Sequence, residues 1–264
     1  MAALPGPLKA QAAAAAGITP VDAALALCRA RTDCRRVMST MLGPRSRDEA
    51  YAIQDATLAA IGPIGGWKVA ASGPGLAPVC APLPAQGLLP GGAALRGSAW
   101  HLRGTACEVA FRLGSDLPPR ASPYTRDEVA LAIESVLPVV ELAETRLADW
   151  LDAEPAALLA DLLCHGGLVL GEAAAFEPAW LDLGRTEVVL RFDEQVVAHT
   201  VGEHAHPDVG GLLVWLANRC RGRGAGLQAG QVVTTGSCTG MLFASPGTAV
   251  HAEVAGLAPL SAFF

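Results

Sequence analysis

Lysine is nearly absent from this sequence of 264 residues: Lys9 and Lys68 are the only two, and arginine supplies the rest of the 19 basic residues. No basic cluster occurs and the formal net charge is −6, which argues against nucleic acid and membrane surfaces as partners. Arginine stays charged in proteins, whereas a buried lysine can shift its pKa and exchange a proton. Lys68, within the apolar segment GGWKVAAS, is therefore a first candidate for chemistry.

Other common features are missing as well. No stretch approaches the roughly 20 apolar residues of a membrane span, and the seven cysteines form no CxxC pair, which predicts reduced thiols. The Ala-rich N-terminus lacks the hydrophobic core and cleavage region of a signal peptide, so we expect a cytoplasmic protein. The GxSxG, HExxH, Walker and Rossmann signatures are also absent, which removes the enzyme classes that depend on them from consideration.

The residues that are present predict an α+β protein. Hydrophobic residues make up 52% of the chain, enough for a sizeable core. Thr19 followed by a proline predicts a helix to about Arg31, and a capping box at Ser46 predicts a second helix that ends at Gly62. These helices form a predicted helical N-terminal portion over residues 1–64.

Residues 65–264 contain short β-prone runs separated by turns rich in glycine and proline. One predicted hairpin turns at Asp193, and apolar residues alternate with polar ones over residues 250–254. Three helices are expected among the strands: one after the capping box that starts at Thr125, one over about 154–164 and one over about 207–221. A strand-rich second portion therefore follows the N-terminal helices, and the two portions together are expected to form one compact unit.

Three charged residues lie in apolar, strand-like contexts: Lys68, Glu108 and Glu141. Acids are rarely buried without a partner, so two such acids that converge would need a cation between them, and hard oxygen ligands favour Mg²⁺ or Mn²⁺. The simpler interpretation is that both acids face solvent or pair with Arg112 and Arg146. From these residues alone, the simpler interpretation is favoured.

Weaker candidates lie elsewhere in the chain. Asp161 and His165 are four residues apart and would share one helical face, where His165 could be an acid, a spare metal ligand or a favourable charge at a helix C-terminus. Thr235 and Ser237, after a β-prone run, could bind an anionic substrate, although a plain turn explains them equally well. His204 and His206 lack a nearby third ligand and are assigned to a loop.

Several longer segments occur in a characteristic order from about residue 40 to Phe264. They are GWKVAAS, ACEVAFRLGSDL, LPVVELAETRLADW, ADLLCHGGLVLG, HPDVGGLLVWLANR and GLQAGQVVTTGS. This order resembles the 2-keto-4-pentenoate hydratase family, which belongs to the fumarylacetoacetate hydrolase superfamily together with the related oxalocrotonate decarboxylases. The WLAN helix followed by L-x-A-G-x-V-V-x-T-G is the most specific part of the resemblance.

The resemblance implies a mixed β-roll that assembles into homo-oligomers and holds Mg²⁺ or Mn²⁺ by three carboxylates. Two of these acids come from an E-x-E pair and one from a later P-x-x-E. Matched position by position, the second acid of the pair falls on Glu108 and the later acid on Glu141. The family's lysine falls on Lys68, and the aspartate of its A-D-N motif falls on Asp161.

The resemblance also implies a reaction. The expected activity is that of a hydratase, a lyase that adds water to a 2-hydroxy-2,4-dienoate to give a 4-hydroxy-2-oxo acid, through metal-stabilised enolate chemistry. Lys68 would donate and accept protons or hold the substrate carboxylate, and burial near a cation is expected to lower its pKa toward neutrality. Asp161 would orient groups or relay protons. Decarboxylation of a 2-oxo-3-enedioate is a close alternative.

The sequence departs from the family pattern at the site itself. Ala106 replaces the first acid of the E-x-E pair, Ala85 stands nearest to a second lost acid, and Cys164 and His165 replace two small hydroxyl residues. Waters, substrate oxygens or His165 could then complete a weakened metal site. Alternatively, the metal is lost and the chain is a catalytically impaired relative that acts as a binding or partner subunit.

Overall fold

The computed structural model describes residues 18–71, 77–97 and 99–264; the Ala-rich stretch that contains Lys9 lies outside this part. None of the helices described is long and apolar enough to cross a membrane. The α-helices are α1 (Pro20–Thr32), α2 (Arg47–Ile61), α3 (Arg126–Leu131), α4 (Pro155–Ala160) and α5 (Val209–Cys220), and short 3-10 turns include Ala85–Gly87 and Leu162–Cys164.

The predicted helix starts are confirmed. Thr19 caps α1, whose first residue is a proline, and Ser46 and Thr125 cap α2 and α3. Each of these three hydroxyls accepts a hydrogen bond from the backbone N–H of the residue three positions later, as N-cap residues do. The local chemistry of these short motifs was therefore enough to locate the first turn of each helix.

The strands form two sheets. In chain order the strands are β1 (Ile64–Ala70), β2 (Val79–Pro84), β3 (Leu88–Pro90), β4 (Ala93–Ala94), β5 (Gly104–Leu113), β6 (Ile133–Ala143), β7 (His165–Leu170), β8 (Ala174–Ala175), β9 (Glu187–Phe192), β10 (Gln195–Val201), β11 (Val232–Ser237), β12 (Leu242–Phe243), β13 (Ala249–Val254) and β14 (Leu260–Phe263). The larger sheet has the order β2-β1-β11-β5-β6-β7-β3, with β12 beside β5 and β8 beside β6; the smaller has the order β10-β9-β13-β14-β4.

The larger sheet curls into a roll. Its two outermost strands, β2 and β3, are joined only by the three-residue turn Ala85–Gly87. Because β2 ends at Pro84 and β3 begins at Leu88, the opposite edges of a seven-strand path must come close together in space. The turn packs on β1: a Cβ added to Gly65 would lie 2.7 Å from the Cα of Ala85. The sheet therefore has an enclosed inner face.

The two faces of the roll have separate apolar clusters. The outer face belongs to the main core, which includes Trp67, Val109 and Val140, and the smaller sheet and the helices cover it. The inner face has a small cluster of its own, built by Leu83, Ala110, Leu137, Val139, Leu168 and Val232. This inner cluster closes one part of the roll and leaves the rest of the inner face for polar side chains.

The hairpin prediction is confirmed, since β9 and β10 are antiparallel neighbours joined at Asp193. Its φ angle of +52° is the left-handed conformation that a tight turn requires. The alternation over residues 250–254 also matches the structure: Val250, Ala252 and Val254 of β13 are buried, while the residues between them are partly or fully exposed.

The predicted helix over about 154–164 is wrong beyond residue 160. Leu162, Leu163 and Cys164 have φ angles of +53°, +52° and +59°, in the left-handed region, which costs a non-glycine residue about 1–2 kcal/mol. The helix stops there, and His165 is the first residue of β7. The expectation that Asp161 and His165 share one helical face is therefore also wrong.

Candidate functional site

Four strands bring polar side chains together on the inner face of the roll. Lys68 of β1 pairs with Thr234 of β11, which in turn pairs with β5. In the next pair of strands, Ala106 of β5 lies opposite Glu141 of β6. Side chains two residues apart on a strand share a face, so Glu108 points to the same side as Ala106. Lys68, Glu108, Glu141 and Thr234 therefore converge, although 73 residues separate Lys68 from Glu141.

Lys68 is held on two sides. Its ammonium forms an ion pair and hydrogen bond with the carboxylate of Glu141. It also donates a hydrogen bond to the carbonyl oxygen of Leu163, with the two atoms 3.1 Å apart. That carbonyl belongs to the left-handed segment after α4, so the segment that breaks the helix also helps to fix the lysine.

Glu108 is the least satisfied member of the cluster. Only 2% of the residue is exposed, and its Oε2 accepts no hydrogen bond from any residue that the structure describes. Burial raises the pKa of Glu108 to about 8, with a further rise from the neighbouring charge of Glu141, while Lys68 and Thr234 favour the ionised form. A proton or another cation is therefore needed beside this pair of acids.

Lys68 stays charged in this arrangement. Burial by itself lowers the pKa of Lys68, but the attraction of Glu141 and Glu108 outweighs burial, so the pKa is raised above its usual value. For a Lys68 buried near a bound cation, the expected lowering of its pKa toward neutrality stays a prediction. The lysine is an ammonium, able to donate a proton or to bind an anion.

The residues offer two carboxylates to a metal ion, not three. Across the described ranges, no three His, Cys, Asp or Glu side chains are grouped so that they could hold one, so His165 does not complete a set. Ala106 lies opposite Glu141, at the place where the resemblance puts the first acid. The buried, unpaired oxygen of Glu108 next to a second acid nevertheless fits a small, hard cation, and Glu108 and Glu141 are the residues that would hold it.

The carboxylate of Asp161 does not join the cluster; it is bound by Arg146 and Thr145. Its Oδ1 accepts a hydrogen bond from Nε of Arg146 at 2.6 Å, and its Oδ2 accepts from the Thr145 hydroxyl at 2.7 Å and from the Arg146 backbone N–H at 2.9 Å. No hydrogen bond or ion pair joins it to Lys68, Glu108 or Glu141 in the part of the chain that the structure describes. Asp161 therefore positions Arg146 and its surrounding loop.

This ion pair predicts a large loss of stability in Asp161→Asn. The side chains of Arg146 and Asp161 are only 5% and 2% exposed, and removal of one partner leaves a buried charge unpaired, at a cost of about 3–5 kcal/mol. Chemical denaturation measures the change in the free energy of unfolding. Glu253→Gln is the matched control, because its pair with Arg191 is 53% and 37% exposed and should contribute less than about 1 kcal/mol. Equal losses in the two variants would contradict the argument.

The imidazole of His165 is buried and makes no hydrogen bond to any residue that the structure describes. The residue is 1% exposed, and neither ring nitrogen has a partner among the described residues. Because Gly166 bulges out of the ladder between β6 and β7, His165 pairs with Ala143 and faces the same side as Glu141. Burial, followed by the charge of Lys68, holds its pKa well below the usual value, so the imidazole is neutral. A Cβ on Gly87 would lie 2.8 Å from its Nε2.

Thr235 and Ser237 are not part of the cluster. Thr235 points to the face opposite Thr234, and its hydroxyl lies 3.3 Å from Nε2 of His204, in the loop where that histidine was expected. Ser237 is paired with Glu108 in the ladder, but its hydroxyl donates to the carbonyl of Gly240 at 3.1 Å. The hydroxyl group that does face the acids belongs to Thr234.

The simpler interpretation of the two acids is wrong. Glu108 and Glu141 are buried and do not face solvent, and Arg146 pairs with Asp161 instead of Glu141. Thr234 belongs to the same predicted anion-binding stretch as Thr235 and Ser237, and its ladder pairing with Lys68 distinguishes it from them. Glu144, which no sequence pattern singled out, is a buried acid whose Oε2 accepts hydrogen bonds from two backbone N–H groups.

Comparison with known proteins shows the family. A family model described as fumarylacetoacetate (FAA) hydrolase C-terminal matches residues 60–263. The chain belongs to this family. The resemblance to 2-keto-4-pentenoate hydratases is thereby confirmed, as is the α+β fold with a mixed β-roll.

The curated relatives of this fumarylacetoacetate hydrolase family member are enzymes of hydratase and decarboxylase type. They include the 2-hydroxyhexa-2,4-dienoate hydratase of Comamonas testosteroni, 28% identical over 60% of this chain and 58% of the relative. The 2-keto-4-pentenoate hydratase of Paraburkholderia xenovorans is 28% identical over 60% and 57%, and a Pseudomonas 4-oxalocrotonate decarboxylase is 27% identical over 58% and 57%. The chain thus matches less than three fifths of the length of these relatives.

Solved structures support the same fold. The 4-oxalocrotonate decarboxylase of Pseudomonas putida G7, complexed with magnesium and adipate, superposes with a TM-score of 0.79 over 92% of this chain and 96% of that chain, at 21% identity. The same enzyme, complexed with calcium and acetate, gives a TM-score of 0.77. A 2-hydroxyhepta-2,4-diene-1,7-dioate isomerase from Mycobacterium marinum is a more distant neighbour, with a TM-score of 0.55.

Proposed function

We propose that this protein is a lyase that adds water to a 2-hydroxy-2,4-dienoate and releases a 4-hydroxy-2-oxo acid. The observation that carries the proposal is the convergence of Lys68, Glu108 and Glu141 inside the roll. The names of the relatives support the reaction class. We also place the chain in a homo-oligomer, for which the exposed side chains of Leu131 and Leu151 are candidate contacts.

The reaction needs two proton transfers to carbon and one water molecule. In the first step, the 2-hydroxyl of the dienol loses its proton and C5 gains one, which gives a conjugated 2-oxo acid. In the second step, the oxygen of water bonds to C4 while C3 gains a proton. Each transfer needs a donor or acceptor close to the substrate chain, and the inner face of the roll offers the ammonium of Lys68 for this role.

Lys68 and Glu108 have complementary roles in this proposal. The ammonium of Lys68 attracts the substrate carboxylate to the inner face of the roll and donates a proton from Nζ. Glu108, whose pKa is raised to about 8 by burial and then by Glu141, holds a proton at neutral pH in the absence of another cation. Glu141 keeps Lys68 charged and in place through their ion pair. The surrounding apolar cluster keeps bulk water away from the reacting carbons.

Glu108 and Glu141 would hold a divalent cation, Mg²⁺ or Mn²⁺, in this proposal. When bound, the cation supplies positive charge that stabilises the enolate form of the substrate. Because Ala106 provides no third carboxylate, we expect weak binding that depends on water and substrate oxygens to complete the coordination.

A turnover assay tests the proposed reaction. With 2-hydroxypenta-2,4-dienoate and added Mn²⁺, we expect loss of the dienoate absorbance and formation of 4-hydroxy-2-oxopentanoate. The same preparation treated with a chelator should turn over more slowly. A rate no higher than that of buffer with Mn²⁺ would reject the hydratase proposal and favour the non-catalytic alternative, a binding or partner subunit.

Decarboxylation of a 2-oxo-3-enedioate is the second candidate reaction. It requires the same enolate stabilisation, and the Pseudomonas decarboxylase that superposes over most of this chain supports it. The additional cavity described below also favours a substrate with a second carboxylate. Carbon dioxide release from 2-oxohex-3-enedioate, measured alongside the hydratase assay, separates the two activities.

A further inference from the structure

A polar cavity lies beside the proposed catalytic cluster. Its volume is about 240 Å³. It lies between the end of α1, the turn Ala85–Gly87 that closes the roll, and the rim where β6 and β7 meet. The basic side chains that line it are those of Arg31, Arg35, Arg36, His101, Arg146 and His165.

The positive charges of this cavity are only partly balanced. Arg146 is neutralised by Asp161. Glu144, the acid in the lining, lies 3.5 Å from Arg36 and already accepts hydrogen bonds from the backbone N–H groups of residues 101 and 102. Arg31 has no carboxylate partner in the described part of the chain, and its Nη2 reaches only the carbonyl oxygen of His165, at 3.4 Å. The cavity therefore has an excess of positive charge.

The electrostatic environment of Arg31 favours an anion nearby. Burial, followed by repulsion from Arg146, lowers the pKa of Arg31 to about 10. A guanidinium rarely departs so far from its usual range. An anion in the cavity would reverse this effect, because it would supply the opposite charge that Arg31 now lacks.

Several hydrogen-bonding atoms in the lining have no partner. They are Nε of Arg36 and both ring nitrogens of His165, all buried and unpaired within the described residues. A buried polar group left unpaired costs about 1–3 kcal/mol, so native structures rarely retain several together. The neutral imidazole can donate one N–H, and the guanidinium groups can donate several more. Oxygen atoms of an anion would satisfy these donors at once.

The cavity and the catalytic cluster share His165. Its ladder pairing turns the ring toward the inner face of the roll, where Glu141 also points, and the charge of Lys68 acts on it directly. His165 also lines the cavity. A ligand of two or more carboxylates joined by a short carbon chain could therefore occupy both places.

We propose that this cavity is a carboxylate-binding site, in which Arg31, Arg36 and His165 donate hydrogen bonds to the anion. A carboxylate suits the site because its two oxygens match the forked donors of a guanidinium. The carboxylate belongs either to the far end of the substrate or to a separate small acid. The assignment to the far end of the substrate rests on the proposed function. The assignment of the cavity as a carboxylate-binding site does not.

Calorimetric titration with glutarate tests the site without any turnover. We expect saturable binding by the wild-type protein, and dissociation constants at least tenfold higher for Arg31→Met and for Arg36→Met, because each loses charged hydrogen bonds. Arg45→Met is the matched control, since Arg45 is 86% exposed in its pair with Glu49, and it should bind as the wild type does. Thermal unfolding of each variant checks that it is folded.

Steady-state kinetics then identifies the source of the carboxylate. If Arg31→Met raises the KM for 2-oxohex-3-enedioate at least tenfold and leaves the KM for 2-hydroxypenta-2,4-dienoate unchanged, the carboxylate is the far end of the substrate. If glutarate binding is lost but both KM values are unchanged, a separate acid occupies the site. The proposal is overturned if the wild type shows no saturable glutarate binding, or if both folded arginine variants bind as the wild type does. An inactive protein that binds glutarate would reject the proposed function alone.

Discussion

Replacing Lys68 with alanine is expected to lower kcat/KM for the dienoate by about 10²–10⁴-fold, the range that a positioned acid or base contributes. The variant removes the proton donor and leaves Glu108 and Glu141 facing each other without the ammonium that now pairs with Glu141. Without the ammonium, the pair of buried acids keeps a negative charge that repels the substrate carboxylate. The loss should therefore affect both the binding and the chemical step.

Two control variants separate these contributions. Lys68→Arg keeps the positive charge but replaces a proton donor with a group that stays charged, so we expect binding to be retained and kcat to fall. Arg191→Ala removes an exposed arginine of the smaller sheet, paired with Glu253, and should leave the rate unchanged. Steady-state kinetics on folded protein measures all three. If Lys68→Ala were as active as the wild type, Lys68 would have no catalytic role.

Restoring an acid at position 106 is expected to increase the affinity for Mn²⁺ at least tenfold. Ala106 pairs with Glu141 across β5 and β6 and faces the same side as Glu108, so the carboxylate of an Ala106→Glu variant would enter the cluster. Loss of even an indirect ligand partner typically costs about 10–100-fold in metal affinity, and a direct carboxylate should contribute at least as much. Calorimetric titration with Mn²⁺ measures the change.

Ala106→Gln is the control for this variant. Glutamine has nearly the same size as glutamate but lacks its charge. If the site lacks a carboxylate, Ala106→Gln should therefore increase the affinity for Mn²⁺ only slightly. The buried extra acid should also destabilise Ala106→Glu in the absence of metal and be stabilised by Mn²⁺, which thermal unfolding with and without the ion will show. If Ala106→Glu bound Mn²⁺ no better than Ala106→Gln and the wild type, Glu108 and Glu141 would not form a metal site.

Local signals predicted a large part of the fold. The caps at Thr19, Ser46 and Thr125 depend on hydrogen bonds within four residues, and the hairpin at Asp193 depends on two adjacent strands. Short-range chemistry of this kind can be read directly from neighbouring residues. Glu108 and Glu141 were also identifiable, because an acid inside an apolar run is uncommon and calls for an explanation.

Non-local contacts caused the errors. The apolar run up to Cys164 matches helix periodicity, but the carbonyl of Leu163 accepts from Lys68, about 95 residues away, and the chain turns left-handed there. The bulge at Gly166 then sets the direction of His165. The ion pair of Asp161 with Arg146 is equally non-local, because Arg146 lies in a loop whose position depends on the completed sheet; a catalytic role for Asp161 stays a prediction.

The amino-acid sequence alone determined the class of fold, the family, and the three charged residues on which the proposed chemistry depends. These residues were identifiable because a charged side chain inside an apolar strand is uncommon and needs a partner. Tertiary structure decided which of them meet: the alignment of four strands brings Lys68 to Glu141 and leaves Thr235 on the opposite face. It also created the arginine-lined cavity, whose residues come from segments far apart in the chain. The physical reason is that strand pairing and sheet closure join residues across distances that no local pattern encodes.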